Sequence, residues 1–459
     1  MLVVRTESPT DTAEVRDLLV AAFGQDDEAE LVDLLRLSPD YIPELTLVAE
    51  EAGEIVGHVM VTWVPLHLDG GGRRDVLCVA PLAVRPDRQR RGIGRALLGE
   101  ALRRADAMGE PFAGLEGDPE YYSRCGFVVA GEHGLRLPSP TVPAWAHQVY
   151  LLGGHDPALR GRITYPPVFW ALAATGFPEP VADEGPYAVP WLFELAHYAG
   201  WIESVTLSAD LGRAVPACPG WSVGDLLAHL GTVHRRAAGW VRSGRCPRTV
   251  PAPPPGPADG AGSGDALWRW YADGWRDLRD VLAAAGPETP AATWSPWEAT
   301  LGFWRRRMVH ETAVHSRDVL EALHGGDGGP GPDGGDGRGG TGAGDGYRRV
   351  HAWTVRDEVA LDGIDEVLRL WLGTRLGDRC DGDGALVRVA AGGRVWTVGL
   401  HPGTVEVHDL PTAPDAVVSG APAGVYAWLW GRAGDAAVTV EGDAAAVATL
   451  RRALAVATG

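Results

Sequence analysis

Residues 80–98, APLAVRPDRQRRGIGRALL, constrain the fold of this chain more than any other stretch. An apolar run from Ala80 to Val84 enters a polar turn, and the turn opens directly onto a helix with apolar periodicity. Strand, turn and helix in that order form an α/β unit. The turn carries Gln89-Arg90-Arg91-Gly92-Ile93-Gly94. Two glycines let the backbone come close to a ligand. The free N–H groups at the helix start and the helix dipole suit an anion such as a pyrophosphate. Arg88, Arg90 and Arg91 add positive charge there. No Gly-Lys-Ser/Thr follows, so this is not a Walker loop. Leu97 stands where a dinucleotide fingerprint needs its third glycine. The bland alternative is an ordinary surface turn.

The same alternation of strand and helix patterns extends over residues 1 to about 170. Strands are expected at Leu2–Arg5, Leu45–Glu50, Ile55–Val64, Asp75–Val84, Phe112–Glu116 and Phe127–Ala130. Helices are expected from Asp11 through Phe23, over Arg91–Met108 and over Pro119–Arg124. Residues 172–187, rich in Ala, Pro, Gly and acid, form a linker. Residues 188–324 are all-helical, with helices near 189–211, 222–242, 265–285 and 302–323, which makes a four-helix bundle. Residues 325–346 are almost pure Gly, Asp and Pro, a linker expected to be disordered. Residues 347–459 are α+β: a helix at Glu358–Leu372, strands at Leu386–Ala390, Val395–Leu400, Val405–His408, Ala416–Ser419 and Val438–Glu441, and helices at Gly424–Gly431 and Ala444–Ala455. The expected fold class is multidomain: a mixed α/β sheet, then a helical bundle, then a small α+β domain.

Composition narrows the partners. The 459 residues carry a net charge of −19, which argues against nucleic acid or an anionic membrane surface. Lysine and asparagine are absent, so all 41 basic residues are arginine. That bias fits a GC-rich, actinomycete-like coding sequence. Cys78, Cys125, Cys218, Cys246 and Cys380 are scattered and odd in number, which excludes a disulfide framework and a Cys-x-x-Cys zinc site. With no signal-peptide pattern and no membrane-length apolar run, the expected location is the cytoplasm. The oligomeric state is not encoded in any pattern of the chain.

The strand–turn–helix unit, with Gln three residues before the first glycine, resembles the acetyl-CoA signature of the GCN5-related N-acetyltransferases (the GNAT family). GDPEYYSRCGF and the trailing LRGRITYPPVF are similar to a YhbS-type branch of that family. The resemblance covers about residues 1–171. It implies the mixed GNAT sheet and an acetyl-CoA site. There the backbone of Leu82, Ala83 and Val84 meets the pantetheine arm, while Gln89, Arg90, Arg91, Gly92, Ile93, Gly94 and Arg95 cradle the phosphates. It further implies that Tyr122, four residues before Gly126, is the general acid that protonates the departing thiolate; a packed aromatic is the alternative. The general base stays open among Glu116, Asp118, Glu44 and His58, with loss of the amine's proton through water as the alternative. The acceptor is an amine of a small molecule, of unread identity.

A second constellation lies in the helical region. Glu311 and His315 are i, i+4 and so lie about 40° apart on one helix face. His310 and His315 are about 140° apart and do not share a metal easily. A third ligand must come from another helix, and His229 is the best candidate. Two His and one Glu with an open position make a catalytic, zinc-like set; satisfied core or surface residues are the equal alternative. Asp225, one turn before His229, could be a ligand, but with Ser222 three residues earlier it reads first as part of a capping box, and His234 faces away from His229. Arg305–Arg307 read as a solvent-facing helix start that would at most steer an acidic substrate.

The runs CPGWSVGDLLAHLGTVHRRAAGW and RRRMVHETAVHSRD resemble the mycothiol-dependent maleylpyruvate isomerase family, a branch of the DinB-like metal-binding bundles. The tail, including VSGAPAGVYAWLWGR, is similar to that family's C-terminal domain. The resemblance implies a divalent metal, zinc first among them, on His229, Glu311 and His315, and mycothiol as thiol partner. The leading expectation is therefore an acetyl-CoA-dependent N-acetyltransferase fused to a thiol-dependent metalloenzyme-like unit. Two other readings stand beside it. One is an acetyltransferase alone, with the helical half a binding or sensing module. The other is a non-enzymatic binder of acetyl-CoA and metal.

Overall fold

The computed structural model describes residues 2–136, 142–166, 168–169, 172, 189–207, 209–254, 263–295, 297–324, 355–376, 380–409 and 413–458. They fall into two compact units, one within residues 1–178 and the other within 179–332 and 353–459. Apart from Leu172, the expected linkers at 172–187 and 325–346 lie outside the described residues.

The first unit is a nine-stranded mixed sheet. Its strands are β1 (Leu2–Thr6), β2 (Leu47–Glu51), β3 (Glu54–Leu68), β4 (Arg73–Val84), β5 (Phe112–Glu116), β6 (Val128–Val129), β7 (Leu135–Arg136), β8 (His147–Leu151) and β9 (Gly161–Ile163). The main order is β1-β2-β3-β4-β5-β8-β6, with β9 joining β3 to β7. Helices α1 (Thr12–Phe23), α2 (Asp27–Arg36), α3 (Ile93–Ala107) and the single turn α4 (Pro119–Tyr122) complete it. The crossover through α3 makes β4 and β5 parallel, yet they pair only at Leu77↔Ala113 and Cys78↔Gly114. Beyond that point the two strands part. The backbone of Leu82–Val84 stays paired with β3 alone.

Helix α3 buries Ile93, Leu97, Leu98, Ala101, Leu102 and Ala105, a 3.6-residue stripe, against Val56, Val59 and Leu77 of the sheet. Each fully buried Leu or Ile there contributes roughly 1.5–3 kcal/mol of apolar burial. A Cβ on Gly57 would come within 2.8 Å of Leu97 Cδ1, so glycine sets the helix-to-sheet distance. Several elements depart from expectation. Helix α2 starts in the acidic run Asp26-Asp27-Glu28, which hides its buried face of Leu31, Val32, Leu34 and Leu35. The expected strand at Phe127–Ala130 shrinks to two residues because a 3-10 turn begins at Ala130. Strands β8 and β9 come from short segments whose partners are distant in sequence.

The second unit begins with four helices: α5 (Trp191–Thr206), α6 (Val223–Ser243), α7 (Ser263–Ala283) and α8 (Leu301–His324). Helix α6 starts at the expected capping box: Asp225 N–H donates to Ser222 Oγ (3.1 Å) and Ser222 N–H to Asp225 Oδ2 (2.9 Å). It stops at Gly244, in the left-handed conformation (φ +66°) that glycine tolerates best.

The C-terminal part carries α9 (Asp357–Asp365), which continues as a π-helical segment over Glu366–Leu372. Its five-stranded sheet has the order β12-β11-β10-β13-β14, from β10 (Asp381–Ala391), β11 (Arg394–Pro402), β12 (Thr404–His408), β13 (Ala416–Gly420) and β14 (Thr439–Gly442). Helices α10 (Pro422–Leu429) and α11 (Ala444–Thr458) pack with it. The helices and this sheet domain share one hydrophobic core, in which Trp191, Leu195, Val309 and Ala313 meet Val359, Ile364, Tyr426 and Leu450.

Candidate active site and candidate metal centre

In the first unit, the divergence of β4 and β5 opens a cleft of about 640 Å³. Leu82 and Val84 line it from β4, and Gln89, Arg90, Gly92, Ile93, Gly94 and Arg95 from the turn and α3. Tyr121, Tyr122, Arg124 and Cys125 close the other wall. Ala83 points to the opposite, buried face, as strand alternation demands. The turn needs two left-handed residues, Arg90 (φ +60°) and Gly92 (φ +83°). Gly94 has a different reason: a Cβ there would lie 2.7 Å from the Tyr121 hydroxyl. Gln89 braces the turn by donating from Nε2 to the carbonyl of Val84 (3.2 Å).

The expected charge of Arg88 and Arg91 is partly spent inside the protein. Arg91 pairs with Glu51 (3.3 Å), and Arg88 with Asp87 (3.3 Å) and, more loosely, Glu51. Among the described residues, Arg90, Arg95 and Arg124 have no ion pair, and all three line the cleft. Of the three arginines expected to charge the turn, Arg90 thus keeps that role, and Arg95 and Arg124 join it in place of Arg88 and Arg91.

Tyr122 packs edge-on to Tyr121 and Phe127, with ring centroids 4.9 and 5.6 Å away. Burial, then neighbouring Tyr121 and Cys125, pushes its phenol above the usual range, so it stays protonated. Of the four candidate bases, three are engaged or placed elsewhere. His58 is fully buried and bonded to Glu7 (3.0 Å), and burial lowers its pKa. Asp118 caps α4 by accepting from Glu120 N–H (2.8 Å). Glu44 is exposed on a 3-10 turn. Glu116 ends β5 past the point where the strands part. Burial raises its carboxyl to about 7, only partly offset by the Tyr165 hydroxyl, and its Oε1 is buried without a hydrogen bond.

In the second unit, helices α6 and α8 bring His229, Glu311 and His315 together, with ligand atoms all within 4.8 Å of one another. His229 Nε2 lies 3.0 Å and His315 Nε2 3.7 Å from Glu311 Oε1. His229 is the most exposed of the three, so the cluster faces solvent on its side. Burial works against the Glu311 carboxylate, but Arg307, His229 and His315 outweigh it and hold its pKa far below the usual range. Burial likewise opposes charge on His315, yet Asp318, Cys218 and Glu311 hold it up at about 9. Two imidazoles and a carboxylate around one point fit a divalent cation of borderline softness.

The neighbouring histidines are elsewhere, as expected. His234 is buried against Thr312 Oγ1 (3.1 Å), and His310 bonds Asp362 (2.9 Å). Arg305–Arg307 correct the reading of a solvent-facing helix start. Arg305 Nη2 donates to the carbonyls of Leu282 (3.0 Å) and Ala285 (2.7 Å). Arg306 pairs with Asp362 (3.0 Å), and Arg307 with Glu311 and Glu366. The C-terminal domain turns Arg306 and Arg307 into internal ion pairs, while carbonyls at the end of α7 hold Arg305. Cys218, Asp318, Arg432 and Glu366 also surround the cluster, and sequence reasoning missed them. Asp318 alone had a local signal, being i+3 from His315.

Comparison with known proteins places both halves. The acetyltransferase (GNAT) domain matches residues 3–130, and the mycothiol maleylpyruvate isomerase N-terminal domain matches residues 194–320. The uncharacterized N-acetyltransferase YhbS of Escherichia coli is 35% identical over 161 residues, 35% of this chain and 92% of that protein. The uncharacterized N-acetyltransferase YjhQ of the same species is 33% identical over 135 residues, 28% of this chain and 72% of that protein. A crystal structure of YhbS from Escherichia coli in complex with CoA is 32% identical, covers 37% of this chain and 91% of its own, and superposes with a TM-score of 0.33.

Proposed function

Over its N-terminal third the chain belongs to the GNAT family of N-acetyltransferases, and from that premise we propose that it moves the acetyl group of acetyl-CoA onto an amine. The observation that carries this reading is the cleft itself. The parted β4 edge, the glycine turn at the start of α3, and Tyr122 all border one space. The pantetheine arm would run along the edge of Leu82–Val84 that β5 leaves open. Its pyrophosphate would meet the amides from Arg90 to Arg95, with Arg90, Arg95 and Arg124 offsetting its charge.

The acceptor nitrogen attacks the thioester carbonyl, a C–N bond forms, and the C–S bond then breaks. Glu116, raised to about 7, takes the proton the nitrogen must lose. Tyr122 keeps its proton at neutral pH and gives it to the leaving thiolate. The test is release of free CoA thiol across a panel of amines, for wild type beside Tyr122→Phe. Turnover in wild type that collapses in the variant is expected. Equal rates in both would exclude Tyr122 as the acid.

In the helical half we propose a divalent metal site on His229, Glu311 and His315, with zinc as the first choice and mycothiol as the thiol that meets it. The matched isomerase domain and the clustered ligand atoms support this. When bound, such a metal would lower the pKa of a coordinated thiol toward neutrality. The chain's own part is to present the ligands. Arg307 holds one face of Glu311, and Asp318 accepts from His315 Nδ1 (2.8 Å), which leaves Nε2 for the cluster. Metal analysis of wild type beside His229→Ala tests the site: about one equivalent in wild type alone is expected.

A further inference from the structure

Two of the three clustered ligands are gripped from behind, and each grip ends in the C-terminal domain. On one side, His315 Nδ1 lies 2.8 Å from Asp318 Oδ2. Asp318 is wholly buried and takes a forked pair from Arg432, Nε to Oδ1 and Nη2 to Oδ2, both 3.1 Å. Cys218 adds a long thiol contact to the same carboxylate (3.7 Å). On the other side, Glu311 pairs with Arg307, and Arg307 donates to Glu366 Oε1 at 2.8 Å with both side chains buried. The indole of Trp371 donates to that same Glu366 oxygen (3.3 Å) and lies 4.8 Å from the Arg307 guanidinium.

Helix α8 supplies the inner pair of each grip but not the outer partner. Asp318 shares its helix with His315, but the guanidinium that orients Asp318 comes from the segment after α10. Arg307 shares its helix with Glu311, but its counter-charge comes from the π-helical segment after α9. A buried carboxylate without its arginine is free to turn away from the imidazole, or to protonate. Partners of this kind orient a metal-bound histidine and raise its basicity. Their removal typically weakens metal binding about 10–100-fold.

We infer that Arg432 and Glu366 are positioning residues through which the C-terminal domain sets the metal affinity of the helical bundle, by the relays Arg432–Asp318–His315 and Glu366–Arg307–Glu311. This rests on the metal reading above. The C-terminal domain thereby acts as the outer support of the cluster, and whatever displaces it from α8 loosens two ligands at once.

The experiment uses the full chain. Zinc affinity is measured by competition with a chromophoric chelator, and the visible spectrum is recorded for the cobalt-loaded protein. Wild type is compared with Arg432→Gln, Arg432→Lys, Glu366→Gln and Arg242→Gln. The last removes a surface arginine paired with Asp277 on the same unit, far in sequence from either relay. Arg432→Gln and Glu366→Gln are each expected to weaken zinc binding about 10–100-fold and to shift the cobalt bands. Arg432→Lys should recover part of the loss, because an ammonium restores the charge beside Asp318. Arg242→Gln should match wild type. If Arg432→Gln does not fold, Glu366→Gln reads the inference through the other relay. Wild-type affinity and spectrum in both glutamine variants would overturn it. A wild-type protein that takes up no zinc would overturn the metal reading and the inference together.

Discussion

The two sites are built in opposite ways. The cleft in the first unit comes from two short stretches, residues 82–95 and 121–125, and the strand edge and helix start of the first present backbone. The metal-like cluster takes His229 from one helix and Glu311 and His315 from another 82 residues further along, and every group it presents is a side chain. A site of the first kind is held by local geometry: a left-handed Gly92, a strand edge and a helix start. A site of the second kind is held by packing, by the shared core of bundle and C-terminal sheet, and by charges buried behind it. The first should fail one residue at a time. The second should fail collectively when its outer supports are cut.

The sharpest break of the comparison is Tyr122→Phe, which deletes a proton donor and leaves the ring packing in place. Acetyl transfer should drop about 10²–10⁴-fold, the usual worth of general acid–base catalysis, with metal content unchanged. Steady-state rates and metal analysis on one preparation check both halves of that statement.

Next comes Glu116→Gln. As the base must be unprotonated, kcat/KM in wild type should climb with pH through about 7. The variant should lose that limb. A pH–rate profile that stays superimposable on wild type would remove Glu116 from the mechanism.

The metal-free second unit should carry a pH signature of its own. His315 is held up at about 9 from an ordinary 6.5, so its contribution to stability is complete below 6.5 and is lost as pH rises through about 9. Glu311 acts in the opposite sense, its contribution being lost in acid as the carboxylate protonates. Unfolding midpoints of chelator-treated protein between pH 6 and 10 should therefore fall, and His315→Gln should flatten the slope.

The smallest expected effect is Ser222→Ala. Loss of the cap on α6 should cost about 1 kcal/mol of stability without touching acetyl transfer. Chemical denaturation and the CoA-release assay read the two outcomes.

Much of this molecule was legible from the chain. Elements with strong periodicity, such as α3, α6 and α8, fall within two residues of their expected bounds, because an amphipathic stripe and a cap are local properties. The trio His229, Glu311 and His315 was also within reach, since i, i+4 spacing fixes two of them on one face. Strands β8 and β9 were not, because their hydrogen-bond partners lie far away in sequence. Helix α2 was missed because its acidic start concealed its apolar face.

Arg305, Arg306 and Arg307 mark the boundary most clearly. Three consecutive arginines carry the signal of a solvated surface, and nothing nearby in the chain says otherwise. The sequence by itself determined the order of the strongly periodic elements, the glycine turn at the acyl-transfer cleft and the placing of Glu311 and His315 on one helix face. These depend on backbone preference and on spacing along one strand or helix. Only the tertiary structure decided that Glu116 is the buried carboxyl among four candidates, that Arg90, Arg95 and Arg124 keep their charge free for the cleft, and that Arg432 and Glu366 stand behind the metal-like cluster. Burial and ion pairing depend on which distant segments meet, and no local pattern records that meeting.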